Sequence, residues 1–136
     1  MIENELTGKI ITVAMNVHSS LGPGLLESAY ESCLVYGLRA LGLKVEEQKA
    51  LPVVYEGVRV DCGYRLDILV ENAVIVELKA VEKIQPVHHA QLLSYLRLSG
   101  KRIGLLINFC EQHLRDGIVR KINDRLCPPA SVSSVV

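Results

Sequence analysis

The chain has 136 residues, enough to bury one core and make one domain. Its 15 basic and 15 acidic residues cancel, which argues against a free-standing nucleic-acid-binding module, usually a basic object. Hydrophobic residues make up 49%, with no Trp and one Phe, so the core is aliphatic and base-stacking platforms are few.

Cys33, Cys62, Cys110 and Cys127 are widely spaced and form no C-x-x-C pair. That spacing disfavours zinc and predicts buried thiols in a reducing compartment. Glu3 and Glu5 replace the basic start of a secretion signal, and no apolar run approaches bilayer length, so the expected location is the cytoplasm, away from membranes.

In chain order, residues 6–20 form a first expected helix, with Thr7 as N-cap and Ile10, Ile11, Val13, Ala14 and Val17 as its apolar stripe. His18 near its end is either a local hydrogen-bonding residue or, being close to Glu27, a ligand. Leu21-Gly22-Pro23-Gly24 is a break between helices. A second helix runs from Leu25 to Leu41 with Leu26, Ala29, Tyr30, Cys33, Leu34 and Leu38 buried. Glu27 lies in its first turn, where the helix dipole alone favours an acid. Tyr30 serves packing or supports a site. Gly42 ends the helix.

Val45 to Tyr55 is extended, and Pro52 marks an edge or a strand end. Glu56-Gly57 turns the chain into Val58-Arg59-Val60, and Gly63 interrupts the return strand before Tyr64 to Val70. With Val74 to Ala80 these strands read as an antiparallel meander.

Charge interrupts the two apolar runs of Arg65 to Ala80 at Asp67, Glu77 and Lys79. Alternation puts Glu77 and Lys79 on one face. A two-residue turn at Asn72-Ala73 would send Asp67 to the other face and would require positive φ at Ala73, whereas a three-residue loop, Glu71 to Ala73, sets Asp67 opposite Glu77. The longer loop, or a bulge of equal parity, is therefore expected. Two carboxylates so close call for a counter-ion, and a hard divalent cation held by oxygens is the usual one. Asp67, Glu77 and the Leu78 carbonyl are the candidate ligands.

Glu82 and Lys83 read as solvated, with a phosphate contact as the alternative for Lys83. Gln85-Pro86 starts a third helix that runs to Ser99 and buries Ala90, Leu93 and Leu96, or else Leu92 and Leu96. Gln91 and Tyr95 share a face, with His88 one turn earlier. This is a polar surface stripe or part of a site. After Gly100, Ile103 to Asn108 reads as a strand buried on both faces, parallel to the Val74–Ala80 strand through a right-handed crossover. Leu114 to Leu126 is a short strand or a helix. Its Arg115, Arg120, Lys121 and Arg125 form either a solvated face or a phosphate contact. The ordered domain is expected over 1–127 and a disordered tail over 128–136.

Asp67 followed by Glu77-Leu78-Lys79 resembles the D…(D/E)-x-K core of the PD-(D/E)XK nuclease superfamily, with Leu66 where the name has proline. Gly24-Leu25-Leu26-Glu27-Ser28-Ala29-Tyr30 is similar to the signature of the GxxExxY family, and Gln91-Leu92-Leu93-Ser94-Tyr95 resembles the Q-x-x-x-Y motif of the RecB-like branch. The resemblance spans residues 5 to 125. It implies a single-domain restriction-endonuclease-like fold, α/β (α+β), with a central mixed sheet flanked by helices. It further implies a Mg²⁺- or Mn²⁺-dependent phosphodiesterase that hydrolyses DNA. Glu27 would reach the metal or its water. Asp67, Glu77, Lys79 and Gln91 would form the catalytic set, and Tyr95, His88, Arg120 and Lys121 would contact substrate. The rival reading keeps the fold without the activity: a silent scaffold acting through homo-oligomerisation or a protein partner, in which Glu77 and Lys79 are an ordinary ion pair.

Overall fold

The structure is a computed structural model that describes residues 3–124; the expected tail, Arg125 and Cys127 lie outside them. Helix α1 spans Glu3–Leu21, and α2 spans Glu27–Ala40. Acidic Glu3 and Glu5 extend α1 beyond its apolar stripe, because they face the positive end of the helix dipole. Thr7 is thus not the N-cap: it is buried inside the helix, and its Oγ1 donates to the Asn4 carbonyl at 3.1 Å.

The buried face of α2 is Tyr30, Leu34, Val35 and Leu38. It is rotated from the expected stripe. Leu26, at the N-cap, is 78% exposed, and Cys33 faces solvent. Tyr30 sets that rotation. Its ring stacks on Phe109 at 4.5 Å, and its hydroxyl donates to the Gly22 carbonyl while accepting the Leu25 N–H at 3.1 Å. One buried phenol therefore fixes the tight loop between the helices, where Gly22 and Gly24 take φ of 68° and 106°. His18 is also structural: its Nε2 lies 2.7 Å from the Glu111 carbonyl oxygen, and its ring tilts against Phe109.

Strand β1 covers Val45–Ala50, β2 Val53–Tyr55, β3 Val58–Val60, β4 Arg65–Val70 and β5 Val74–Lys79. The expected single meander is divided in two. β1 pairs with β4, while β2 and β3 form a separate two-stranded hairpin around Glu56 and Gly57, both at positive φ. Between the two ladders, Leu51 and Pro52 face the longer segment Asp61 to Tyr64. This excess offsets one ladder from the other, and a Leu51 N–H to Tyr64 carbonyl bond of 2.9 Å joins them. Cys62 lies in that excess and is exposed; Cys110 is half-buried. These three cysteines are therefore not core thiols, since none of them sits on a sheet face or a buried helix stripe.

The β4–β5 turn has the three-residue form, with Val70 paired to Val74. Positive φ falls on Glu71 and Asn72, and Ala73 is spared it. Helix α3, Pro86–Ser99, crosses from β5 to a parallel β6, Ile103–Asn108. Gly100 ends α3 in the left-handed conformation. The ambiguous segment after β6 is both of its alternatives: a 3₁₀ turn at Leu114–Gly117, then β7, Ile118–Ile122, antiparallel to β6.

The five-stranded sheet has the order β1-β4-β5-β6-β7. α1 and α2 cover one face through Leu6, Ile10, Tyr30 and Leu34 against Val74, Val76 and Leu78. α3 covers the other with Leu92, Tyr95 and Leu96 against Leu69, Ile75 and Leu106. On α3, Leu92 and Leu96 are the buried pair, joined by Tyr95, and Ala90 is exposed. A single-domain mixed sheet with helices on both faces is the expected restriction-endonuclease-like α+β architecture.

Tyr30→Phe removes the hydroxyl shared by Gly22 and Leu25 without opening a cavity. It should cost about 1–3 kcal/mol in urea unfolding and leave the overall fold intact.

Candidate active site

Strands β4 and β5 approach each other at Asp67 and Glu77, where side chains replace the ladder. The Asp67 N–H donates to Glu77 Oε2 at 2.9 Å, and the Leu78 N–H donates to Asp67 Oδ2 at 2.9 Å. Each carboxylate is thus pinned by the other strand's backbone. Glu77 is only 4% exposed, while Asp67 is half-buried.

Lys79, one position further on the same face, donates from Nζ to Gln91 Oε1 at 3.3 Å, and Gln91 Nε2 donates to the Tyr95 hydroxyl at 3.1 Å. The i, i+4 pair on α3 therefore orients the lysine. The chain after Lys79 is clamped by buried Asn108, whose Nδ2 donates to the Val81 carbonyl at 2.8 Å and whose Oδ1 accepts the Val81 N–H at 3.1 Å. The Phe109 N–H closes the clamp on the Lys79 carbonyl at 2.9 Å.

Side-chain alternation fails at Asp67. Ile68 packs with α1 and α2, yet Leu66, which strict alternation puts on the same face, packs with α3. Opposite Asp67 on β1 stands Gln48, with φ of 48°. A non-glycine residue there is strained by about 1–2 kcal/mol. Its amide nitrogen donates to Glu31 Oε1 at 3.0 Å and lies 3.5 Å from Asp67 Oδ1. Arg65 Nη1 also reaches the Gln48 carbonyl at 3.4 Å. The two strands kink together at this point, and Glu31 holds the kink.

Glu27 reaches the same place from the start of α2, feeling the charges of Lys79 and Asp67 and accepting a backbone hydrogen bond from Ala80. Partial loss of hydration pushes its carboxyl up, as it does that of Glu31. Burial, reinforced by the Asp67 charge, pushes Glu77 up to about 8, against the opposing pull of the Asp67 amide and Lys79. That shift favours the protonated form of Glu77 at neutral pH. Burial also raises the Tyr95 phenol.

The fold thus brings Glu27, Asp67, Glu77, Lys79, Gln91 and Tyr95 together. His88 borders the group: it lies within electrostatic reach of Glu27, and its Nδ1 accepts the Gln85 N–H at 2.9 Å as part of a capping box. Arg120 and Lys121 lie apart. They pair with Leu105 and Gly104 in the middle of β6; Arg120 donates to Asn4 on α1, and Lys121 lies near His89. Glu31, Gln48 and Asn108 were missed. Glu31 follows Glu27 by one turn, and Asn108 is a polar end to an apolar run, so both left a signal; Gln48 left none.

The donor set suits a hard cation: carboxylates on two adjacent strands, the Leu78 carbonyl and Glu27. Among the described residues, no three His, Cys, Asp or Glu side chains already converge as a finished cage. A buried acid whose pKa is raised by lost hydration and a neighbouring carboxylate is nevertheless the state that a divalent ion would reverse.

The raised Glu77 carboxyl fixes the sign of a pH effect. Below pH 4.5 folded and unfolded chains both hold the proton; between 4.5 and about 8 only the unfolded chain releases it. Metal-free stability should therefore fall as pH rises through that window, by up to about 1.4 kcal/mol per unit, and Glu77→Gln should flatten the profile in urea titrations. Gln48→Gly relieves the positive φ and should be at least as stable as the parent protein, whereas Gln48→Val should lose about 1–2 kcal/mol.

Searches of curated proteins and of solved structures gave no match. A family model, the PD-(D/E)XK nuclease superfamily, matches residues 4–121, a span that includes every element from α1 to Lys121 of β7. By that match, and with Asp67 and the Glu77-Leu78-Lys79 strand set as described, the chain belongs to the PD-(D/E)XK nuclease superfamily.

Proposed function

We propose that this protein is a Mg²⁺- or Mn²⁺-dependent phosphodiesterase that hydrolyses DNA in the cytoplasm, and that it belongs to the GxxExxY group with RecB-like features. One observation carries the reading: Asp67 and Glu77 hold each other through backbone amides, beside a lysine oriented by Gln91. A buried acid pair is costly to keep unless it is used.

Asp67, Glu77 and the Leu78 carbonyl would hold the ion, and Glu27 would hold its water or a second ion. The ion would lower the pKa of a bound water and offset charge on the phosphorane-like transition state. Lys79, steered by Gln91 and Tyr95, would orient the attacking water or meet the developing negative charge. Gly24, Glu27 and Tyr30 act as one unit here, because the Tyr30 hydroxyl fixes the loop from which Glu27 starts. His88 and Tyr95 border the group and would face substrate; of Arg120 and Lys121, which take opposite faces of β7, Lys121 on the α3 side would meet a phosphate further along a bound strand.

A second reading, a silent scaffold acting through oligomerisation or a partner, draws support from an apolar groove of about 570 Å³ lined by Val13, Val17, Tyr36 and Leu41 of the first two helices and their flank. Tyr36 there is 78% exposed.

Calorimetry with Mn²⁺, alongside plasmid nicking, separates the two. The nuclease should bind Mn²⁺ in the micromolar to millimolar range and nick only with metal, and Asp67→Ala should lose both by at least about tenfold, the equivalent of one lost charged ligand. Parent protein without binding or nicking favours the scaffold.

A further inference from the structure

Aromatic rings are scarce in this chain, with five Tyr and one Phe. Tyr30 and Phe109 are spent in the core and stack on each other. Tyr95 is 7% exposed and bonded to Gln91. Tyr64 is different. It is 46% exposed, and its ring lies 6.1 Å from that of Tyr95, tilted by 59°. Through Tyr95 and Gln91 it is connected to Lys79. Its backbone is fixed by the Leu51 N–H at 2.9 Å, where the β2–β3 hairpin leaves the main sheet.

Tyr64 precedes Asp67 by three residues, about 10 Å of extended chain. Arg65, between them, begins β4 and turns its guanidinium to the Gln48 carbonyl on β1 at 3.4 Å. A ring anchored on one side and open on the other is a platform on which a base stacks. Inside a duplex the base faces are already stacked on one another, so such a ring can engage only an unpaired base.

We propose that Tyr64 forms a stacking subsite for an unpaired base next to the cleaved linkage, so that the preferred substrate is single-stranded nucleic acid. The inference rests on the nuclease reading of Asp67 and Glu77. It also fits the zero net charge, because stacking gives affinity without a field of lysines.

The test uses the full chain in an Asp67→Asn background, where the side-chain carbonyl can still accept the Leu78 N–H. The probe is a labelled oligothymidylate, followed by anisotropy at several salt concentrations, with a closed-ended DNA dumbbell as the paired control. Tyr64→Leu should weaken oligothymidylate binding about 5- to 100-fold without changing the salt slope. Tyr64→Phe should retain binding. Tyr55→Leu, on the exposed hairpin, should change nothing. In the Asp67 parent with Mn²⁺, Tyr64→Leu should raise KM on single strands and spare the dumbbell.

If the parent cleaves DNA and Tyr64→Leu leaves single strands unaffected, or impairs both substrates equally, the subsite is overturned and the nuclease reading stands. If the parent neither binds nor cleaves any nucleic acid, both fall.

Discussion

A carboxylate buried in a β-sheet must be neutralised, paired or hydrogen-bonded, and at Asp67 and Glu77 the chain does this by exchange. Each acid takes a backbone N–H of the opposite strand, at 2.9 Å in both cases. The exchange replaces rungs of the β4–β5 ladder, so the strands can hold two acids without leaving two amides orphaned. Everything around it serves that arrangement. Asn108 clamps the chain after β5, α3 brings Gln91 to Lys79, and β1 kinks at Gln48 to follow Asp67.

The price of this site is visible in two places. Burial pushes the Glu77 carboxyl up to about 8. Gln48 sits in a backbone conformation that glycine would occupy without strain. Strain and desolvation that packing alone does not require tend to gather where a chain uses its residues. Here they lie within one patch shared by β1, β4, β5 and the start of α2.

The short motifs also acquire physical meaning. In G-x-x-E-x-x-Y, the tyrosine is a buried staple: its hydroxyl joins Gly22 to Leu25 and its ring rests on Phe109, so the glutamate emerges from a rigid corner. In Q-x-x-x-Y, the tyrosine holds the glutamine, and the glutamine holds Lys79. In both, one residue faces the site and the other sets its direction.

Local pattern by itself determined a good deal. Alternation and the steric demand of positive φ were enough to choose the three-residue β4–β5 loop and hence to set Asp67 against Glu77. Gly100 and Gln85-Pro86 marked the ends of α3, and the unbroken apolar run of Ile103–Asn108 marked a strand covered on both faces. These features depend on contacts a few residues apart or on period alone, so the chain carries them locally. Tertiary structure decided the rest. The phase of α2 follows from Tyr30 meeting Phe109, residues far apart in sequence, and that rotation exposes Leu26 and Cys33. The loss of alternation at Asp67 follows from Gln48 and Glu31, which approach only once β1 and α2 have packed. Arg120 and Lys121 form a basic cluster in sequence, but a strand sends neighbouring side chains to opposite faces, and β7 carries them beside β6 and away from Asp67. Period and turn chemistry write a strand's register into the chain; the meeting of distant strands and helices exists only in the fold.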